Sequence, residues 1–178
     1  EFGITLNTRI LRDNNLLHFK YGISGVYNYL TPTQNRYFAV RGSQTVLEDY
    51  PRNLYRNRSH FKNVFITLPL HLEFDFSHSR TENGKTFFRT HKSYRFGIGG
   101  FVGYNTNSKQ FLEYRVDGYK IRERQKGGFN VPDWNYGLSA YAGYRAISLY
   151  FKYDLNPLFK DNAIRQNNIS MGLRFDFN

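Results

Sequence analysis

His71, Ser139 and a scatter of carboxylates are the residues that could supply a nucleophile, a base and an orienting acid, the set that acyl-transfer hydrolysis requires. Nothing in the sequence places Ser139 within reach of His71. Ser139 lies among small residues, where it more simply makes room for a bulky neighbour such as Tyr141. His60, His78 and His91 lack the close spacing of metal ligands, and the absence of Cys excludes thiolate metal sites and disulfides. The expectation is a chain without catalytic residues, metal or cofactor. A larger polar set stands out instead: Arg9, His18, Lys20, His71, Glu73, Asp75, Arg95, Arg145, Lys152, Asp154, Arg174 and Asp176, all on the polar parity of alternating segments or at their junctions and, Arg9 apart, each flanked by apolar residues. If these side chains share an interior they must pair with one another, because an isolated buried charge is costly.

The segments that position them alternate with a period of two, the signature of strands. Ile169, Met171, Leu173, Phe175 and Phe177 occupy one parity, with Ser170, Gly172, Arg174 and Asp176 on the other. Ile147 to Leu155 and Trp134 to Tyr144 repeat the pattern, giving a three-strand meander closed by the Tyr144-Arg145-Ala146 junction. Upstream, Phe2 to Ile10, Leu17 to Tyr29, Val64 to Phe76 and Phe96 to Tyr104 alternate as well, the second broken at Gly25 and Val26. Leu112, Tyr114 and Val116 alternate with Glu113, Arg115 and Asp117, a stretch charged on one face. No stretch has helical periodicity.

The chain has 178 residues, 25 Lys and Arg against 14 Asp and Glu, and 17 Phe, 15 Tyr and one Trp. No apolar run approaches the roughly 18 residues of a membrane-spanning helix, and the mean hydropathy of -0.63 is low. Such aromatic content nevertheless exceeds what a small soluble core requires. The two facts agree if the apolar, aromatic parity faces lipid and the parity rich in Gly, Ser, Asn and Thr faces a lumen. A soluble sandwich or lipocalin-like fold is the alternative, with its charged parity in water. Segments of about ten residues match tilted membrane strands. Tyr27, Tyr29, Tyr104, Trp134, Tyr136 and Tyr153 mark one set of strand ends and Tyr94, Tyr144, Phe175 and Phe177 the other, as two aromatic girdles.

The fold class expected is therefore all-β: a closed antiparallel transmembrane β-barrel of meander topology, one domain over residues 1–178, in a bacterial outer membrane with its C-terminus periplasmic. Short turns belong on the periplasmic side and long loops outside. That sorting puts residues 30–60, 105–133 and 156–167 outside, and the turns at 12–15 and 145 inside together with the somewhat longer 77–92. It yields seven membrane strands, so an eighth is expected upstream of Glu1, since bacterial strand counts are even. The rival count takes 110–122 as a membrane strand and finds all eight within the chain. The preferred count requires a bare edge, or a strand from elsewhere, along the first strand.

Phe65-Ile-Thr-Leu-Pro-Leu-His-Leu-Glu-Phe74 resembles the "IPL" strand of the PorT-like outer-membrane barrel proteins of Bacteroidota. Gly97 to Tyr104, Tyr136 to Tyr144, Tyr150 to Phe159 and Ser170 to Phe177 follow in the order and spacing of that family, over about residues 60–178. The resemblance implies an eight-stranded barrel with the IPL strand running inward. It supplies no shared catalytic residue, and some members of the family assist type IX secretion.

An eight-stranded interior is just filled by side chains, so the polar set is expected to form a salt-bridged plug and the barrel not to be a pore. The role expected is that of a non-enzymatic structural or accessory subunit of an outer-membrane assembly. A lipid hydrolase or acyl-modifying enzyme is the alternative. The formal charge of +11 falls largely in the long connections. Arg52, Arg56, Arg58, Arg122 and Arg124 are candidate contacts to lipid phosphate, with ordinary solvated loop charge as the equal alternative. The partners expected are outer-membrane lipid, lipopolysaccharide and another outer-membrane protein. No nucleic acid is expected, since no platform of stacking aromatics accompanies the charge.

Overall fold

A computed structural model describes residues 1–11, 14–51, 55–77, 79–82, 85–88, 93–127 and 129–176. Wherever period-two alternation occurs, strand follows, and the described residues contain no helix. The strands are β1 (Phe2–Arg9), β2 (Leu17–Leu30), β3 (Arg36–Arg41), β4 (Gln44–Asp49), β5 (Tyr55–Asp75) and β6 (Ser79–Glu82), then β7 (Lys85–Phe88), β8 (Tyr94–Val116), β9 (Tyr119–Lys126), β10 (Trp134–Tyr144), β11 (Ile147–Asp154) and β12 (Ile169–Phe175).

One antiparallel sheet runs in the order β1-β2-β5-β8-β10-β11-β12 and is strongly curled, as half a barrel. The hairpins β3–β4 and β6–β7 stand apart as two small sheets. β9 pairs only with the far half of β8, so the stretch at 110–122 is an extension of the sheet and not an eighth strand of its main path. Among the described residues β1 is hydrogen-bonded to β2 alone and β12 to β11 alone. Among the described residues no strand pairs with the other edge of β1.

Two strands exceed their expected length. β5 has 21 residues and β8 has 23, and their outer halves stay paired above the rest of the sheet. A bulge separates the halves of β8: Val64 faces Asn107 while Phe65 faces Asn105, leaving Thr106 as the extra residue. Below it Phe101 is buried and Tyr104 exposed; above it Gln110 and Leu112 are the buried ones. The bulge thus exchanges the parity that faces inward, which is why a simple alternation stops at Tyr104. In β2, by contrast, register runs unbroken through Gly25 and Val26, with Val26 buried inside and Gly25 on the outer face.

Three long connections lie at one end of the sheet: β3–β4, the β8–β9 extension and residues 156–168. The other end has the two-residue turn at Arg145 and Ala146, where Arg145 takes a φ of 58°, together with β6–β7. The long-loop end is closed by Phe38, Phe61, Phe129 and Phe159, packed with ring centroids 5.2 to 5.6 Å apart. Gln110, fully buried, clasps β3 by both main-chain groups of Phe38. Its Oε1 accepts from the Phe38 N–H at 2.9 Å, and its Nε2 donates to the Phe38 carbonyl at 2.8 Å.

Candidate functional site

The two faces of the sheet are inverted relative to a soluble protein. Ile66, Leu68, Leu70, Ile98, Leu138, Leu149, Phe151 and Leu173 are exposed on the convex face, while His18, Lys20, Glu73, Asp75, Arg95, Lys152 and Asp154 are buried on the concave one. Tyr104 packs on Trp134 at 5.3 Å at the long-loop end of the apolar band, and Tyr94 on Tyr144 at 4.8 Å at the other. Each pair stands directly opposite in the ladder. The residues of β10 from Trp134 to Tyr144 make about ten steps of roughly 3.4 Å, which at a tilt of about 40° rise about 26 Å. Tyr27, Tyr29, Tyr136 and Phe175 are exposed toward strand ends, whereas Tyr153 is half-buried; Phe177 lies outside the described residues.

Glu73 is the hub of the concave face. Its carboxylate accepts from the Tyr141 hydroxyl at 2.5 Å and from Asn7 Nδ2 at 3.2 Å, and it pairs with Lys20 at 3.4 Å. Lys20 also reaches Asp176 at 3.2 Å, and Asp176 is bound in turn by Arg174 at 3.1 Å and approached by Arg95 at 3.8 Å. The Lys20 ammonium and the Arg174 guanidinium both lie over the Tyr141 ring, 5.5 and 4.6 Å from its centroid. Since Lys20 belongs to the second strand of the sheet and Asp176 follows the last, the curl brings opposite ends of the sheet into contact. A second cluster places Lys152 over the Phe101 ring at 3.8 Å and gives Asp154 a hydrogen bond from Asn135 at 3.1 Å. A third joins Asn15 to Asp75, Ser77 and His18.

Two of the expected interior charges sit differently. Arg145 occupies the tight turn, where its side chain is exposed and its guanidinium lies 5.2 Å from the Tyr144 ring. Only its carbonyl, which accepts from Arg95, touches the network. A two-residue turn has no inward parity to offer. Arg9 stands opposite His18 on the bare edge strand and is exposed there.

The geometry also corrects the reading of Ser139. Its hydroxyl is 2.8 Å from His71 Nε2, both side chains being buried. The route is the row His71, Gly99, Ser139 across three neighbouring strands, in which the residue of β8 between the two side chains is a glycine. Room for Tyr141 comes from Gly97, through the row Glu73, Gly97, Tyr141. A Cβ at Gly97 would lie 2.2 Å from the Tyr141 ring. Glycine on β8, not serine on β10, makes the space. Tyr141 and Gln110 were not anticipated as key residues. Tyr141 had a signal, being the one bulky residue on a parity otherwise made of Asn135, Gly137, Ser139 and Gly143.

Outside the curl, the extensions of β5, β8 and β9 carry the basic residues. Lys62 stands opposite Lys109, and Lys109 opposite Lys126; His60 faces Phe111, which faces Arg124; Arg58 faces Glu113, which faces Arg122. Glu113 is held below the usual carboxylate range by hydrogen bonds from Lys120 and Arg122. Lys62 lies over the rings of Tyr29 and Phe111 at 5.0 and 4.8 Å, and Arg124 over Phe111 at 5.1 Å. A cleft of about 640 Å³ opens among these residues. Of the arginines expected to meet phosphate, Arg58, Arg122 and Arg124 line this cleft. Arg52, His78 and His91 lie outside the described residues, as does the side chain of Arg56. His60 is stacked on Tyr29 at 4.7 Å and hydrogen-bonded to Thr31 at 3.1 Å.

No protein-family model, curated protein or solved structure matches the chain.

Proposed function

We propose that the chain forms a non-enzymatic outer-membrane β-barrel with a filled interior, serving as a structural or accessory subunit of an outer-membrane assembly. The observation that carries this reading is the inversion of the sheet: an exposed apolar band bounded by aromatic pairs on one face and a buried ion network on the other. In the proposed orientation the long-loop end is extracellular and the short-turn end periplasmic, matching the usual asymmetry of such barrels. The network around Glu73 and the phenylalanine cluster above it leave an interior suited to rigidity and not to conduction. The resemblance to PorT-like proteins extends the proposal to a secretion-related assembly, in which the outer loops or the lipid-facing wall meet another membrane protein.

Extraction tests the membrane reading. The protein should leave bacterial membranes only with detergent and stay folded only in detergent or lipid; a monomeric, folded protein in plain buffer sinks it. Crosslinking with mass spectrometry in native membranes then tests the accessory role by the partner it returns.

The Ser139–His71 contact favours a second reading, lipid hydrolysis, because a serine bonded to an imidazole is the start of a nucleophilic centre. Against it, the nearby Glu73 is already engaged by Lys20, Tyr141 and Asn7, and the pair is buried on the concave face, away from lipid. Turnover of phospholipid or lipopolysaccharide by the reconstituted protein, abolished by Ser139→Ala, would replace the accessory reading with this one.

A further inference from the structure

The convex face changes character within a few residues of one strand. Ile66 and Leu68 are exposed and apolar, Val64 continues them, and then Lys62, His60 and Arg58 follow on the same face of β5. Tyr27 stands opposite Val64 and Tyr29 opposite Lys62, so the switch to basic residues falls at the aromatic boundary itself. Above it the ladder holds three lysines in one row, Lys62, Lys109 and Lys126. Like charges directly opposite one another destabilise a sheet, and the acid on this face, Glu113, is committed to Lys120 and Arg122. An anion placed on the row would offset that repulsion. Lys62 is meanwhile fixed by the rings of Tyr29 and Phe111, so its ammonium is positioned and not merely solvated.

We infer that this wall binds the phosphate groups of an outer-leaflet lipid, with the acyl chains lying along Val64, Ile66 and Leu68. The ligand must be amphiphilic, because the basic row is continuous with the apolar band on one face; a nucleic acid or a free acidic peptide would leave that continuity unused. Two features fit a ligand with more than one phosphate. The basic residues form a patch three strands wide, and Arg124, over Phe111, offers a planar guanidinium fork suited to bidentate contact with phosphate. The inference rests on the outer-membrane reading above and specifies the lipid that reading leaves open.

The test uses the full chain reconstituted into phosphatidylcholine vesicles doped with either a diphosphorylated glucosamine lipid or the same lipid stripped of phosphate. Flotation with the vesicles and protease protection report insertion. Native mass spectrometry after detergent release reports the lipid retained. We expect insertion in both cases and about tenfold greater retention of the phosphorylated lipid, a preference lost in Lys109→Gln/Lys126→Gln and restored in Lys109→Arg/Lys126→Arg. These side chains lie above the membrane band, so the variants should insert as well as the parent, and flotation checks that they do. Failure of the parent to insert overturns the membrane reading and this inference with it. Insertion with equal retention of both lipids, or an unchanged preference in the glutamine variant, overturns the phosphate site alone. Inorganic phosphate displacing the lipid at comparable concentration overturns the lipid assignment in favour of a free anion.

Discussion

Glu73 is wholly buried, bound by Tyr141, Asn7 and Lys20 with His18 Nδ1 3.9 Å away, and its cost of removal follows from what it would leave behind. In Glu73→Ala the buried Lys20 loses one of its two carboxylates and keeps Asp176, so the cost should fall below the about 3 to 5 kcal/mol of a buried charge left with no partner and above that of one lost hydrogen bond. Tyr141→Phe removes one hydrogen bond to a charged group, about 1.5 to 3 kcal/mol. Urea unfolding in detergent should order the two variants accordingly, and equal stability of Glu73→Ala and the parent would refute the hub. His60 gives a second prediction. Burial, then Lys62 and Arg58 on either side of it along the same face of β5, hold its imidazole below its ordinary value, with Glu113 opposing; Arg124 lies across Phe111 from it. A bound phosphate favours the charged imidazolium, so NMR titration should show the His60 pKa rising on addition of the phosphorylated lipid, and no rise on addition of the dephosphorylated one. The interior charges were legible in the sequence because each breaks an apolar run on the polar parity. The Ser139–His71 pair was not, because it depends on which strands neighbour each other and on a glycine lying between them.

Strands were legible wherever alternation was uniform, and their ends were lost where a bulge exchanged the faces, as at Thr106. The long-loop hairpin β3–β4 shows no alternation that separates it from a loop; what docks it is Gln110, 72 residues away from Phe38 in sequence. Gln110→Ala would strand both main-chain groups of Phe38 against the phenylalanine cluster, each costing about 1 to 3 kcal/mol if left unsatisfied. Hydrogen exchange should accelerate over β3 and β4 while β10 and β11 keep their protection; unchanged exchange at Phe38 would show that the clasp is dispensable. The glycine rows are testable as pairs. Gly97→Ala pushes a methyl into the Tyr141 ring, and overpacking of this kind costs about 1 to 3 kcal/mol. Repeated in a Tyr141→Ala background the same change should cost close to nothing, and a purely additive double-mutant cycle would contradict the contact.

At the scale of the whole molecule, direction decides how the curl can close. Each neighbour in the seven-strand path is antiparallel, so β1 and β12, the first and seventh, run the same way. Direct closure would require a parallel pair, while one strand of opposite direction between them would complete an antiparallel ladder. Bare edges are expensive in lipid, where no water can satisfy the exposed N–H and C=O groups. Interior contacts between Lys20 and Asp176 and between Asn7 and Glu73 already draw the flanking strands toward a common centre. In the proposed barrel, one strand of opposite direction would fill that seam. Strands lie about 4.8 Å apart, so β1 and β12 would then be about 10 Å from one another, too far for a disulfide, whose Cβ atoms must come within about 4.5 Å. Cysteine placed at Leu6 and, in turn, at each position from Ile169 to Phe175 should give no direct disulfide in oxidised membranes. A bifunctional thiol reagent of about 10 Å should join at least one of these pairs. A direct disulfide at any register would mean that β1 and β12 pair in parallel, and that seven strands close the barrel unaided.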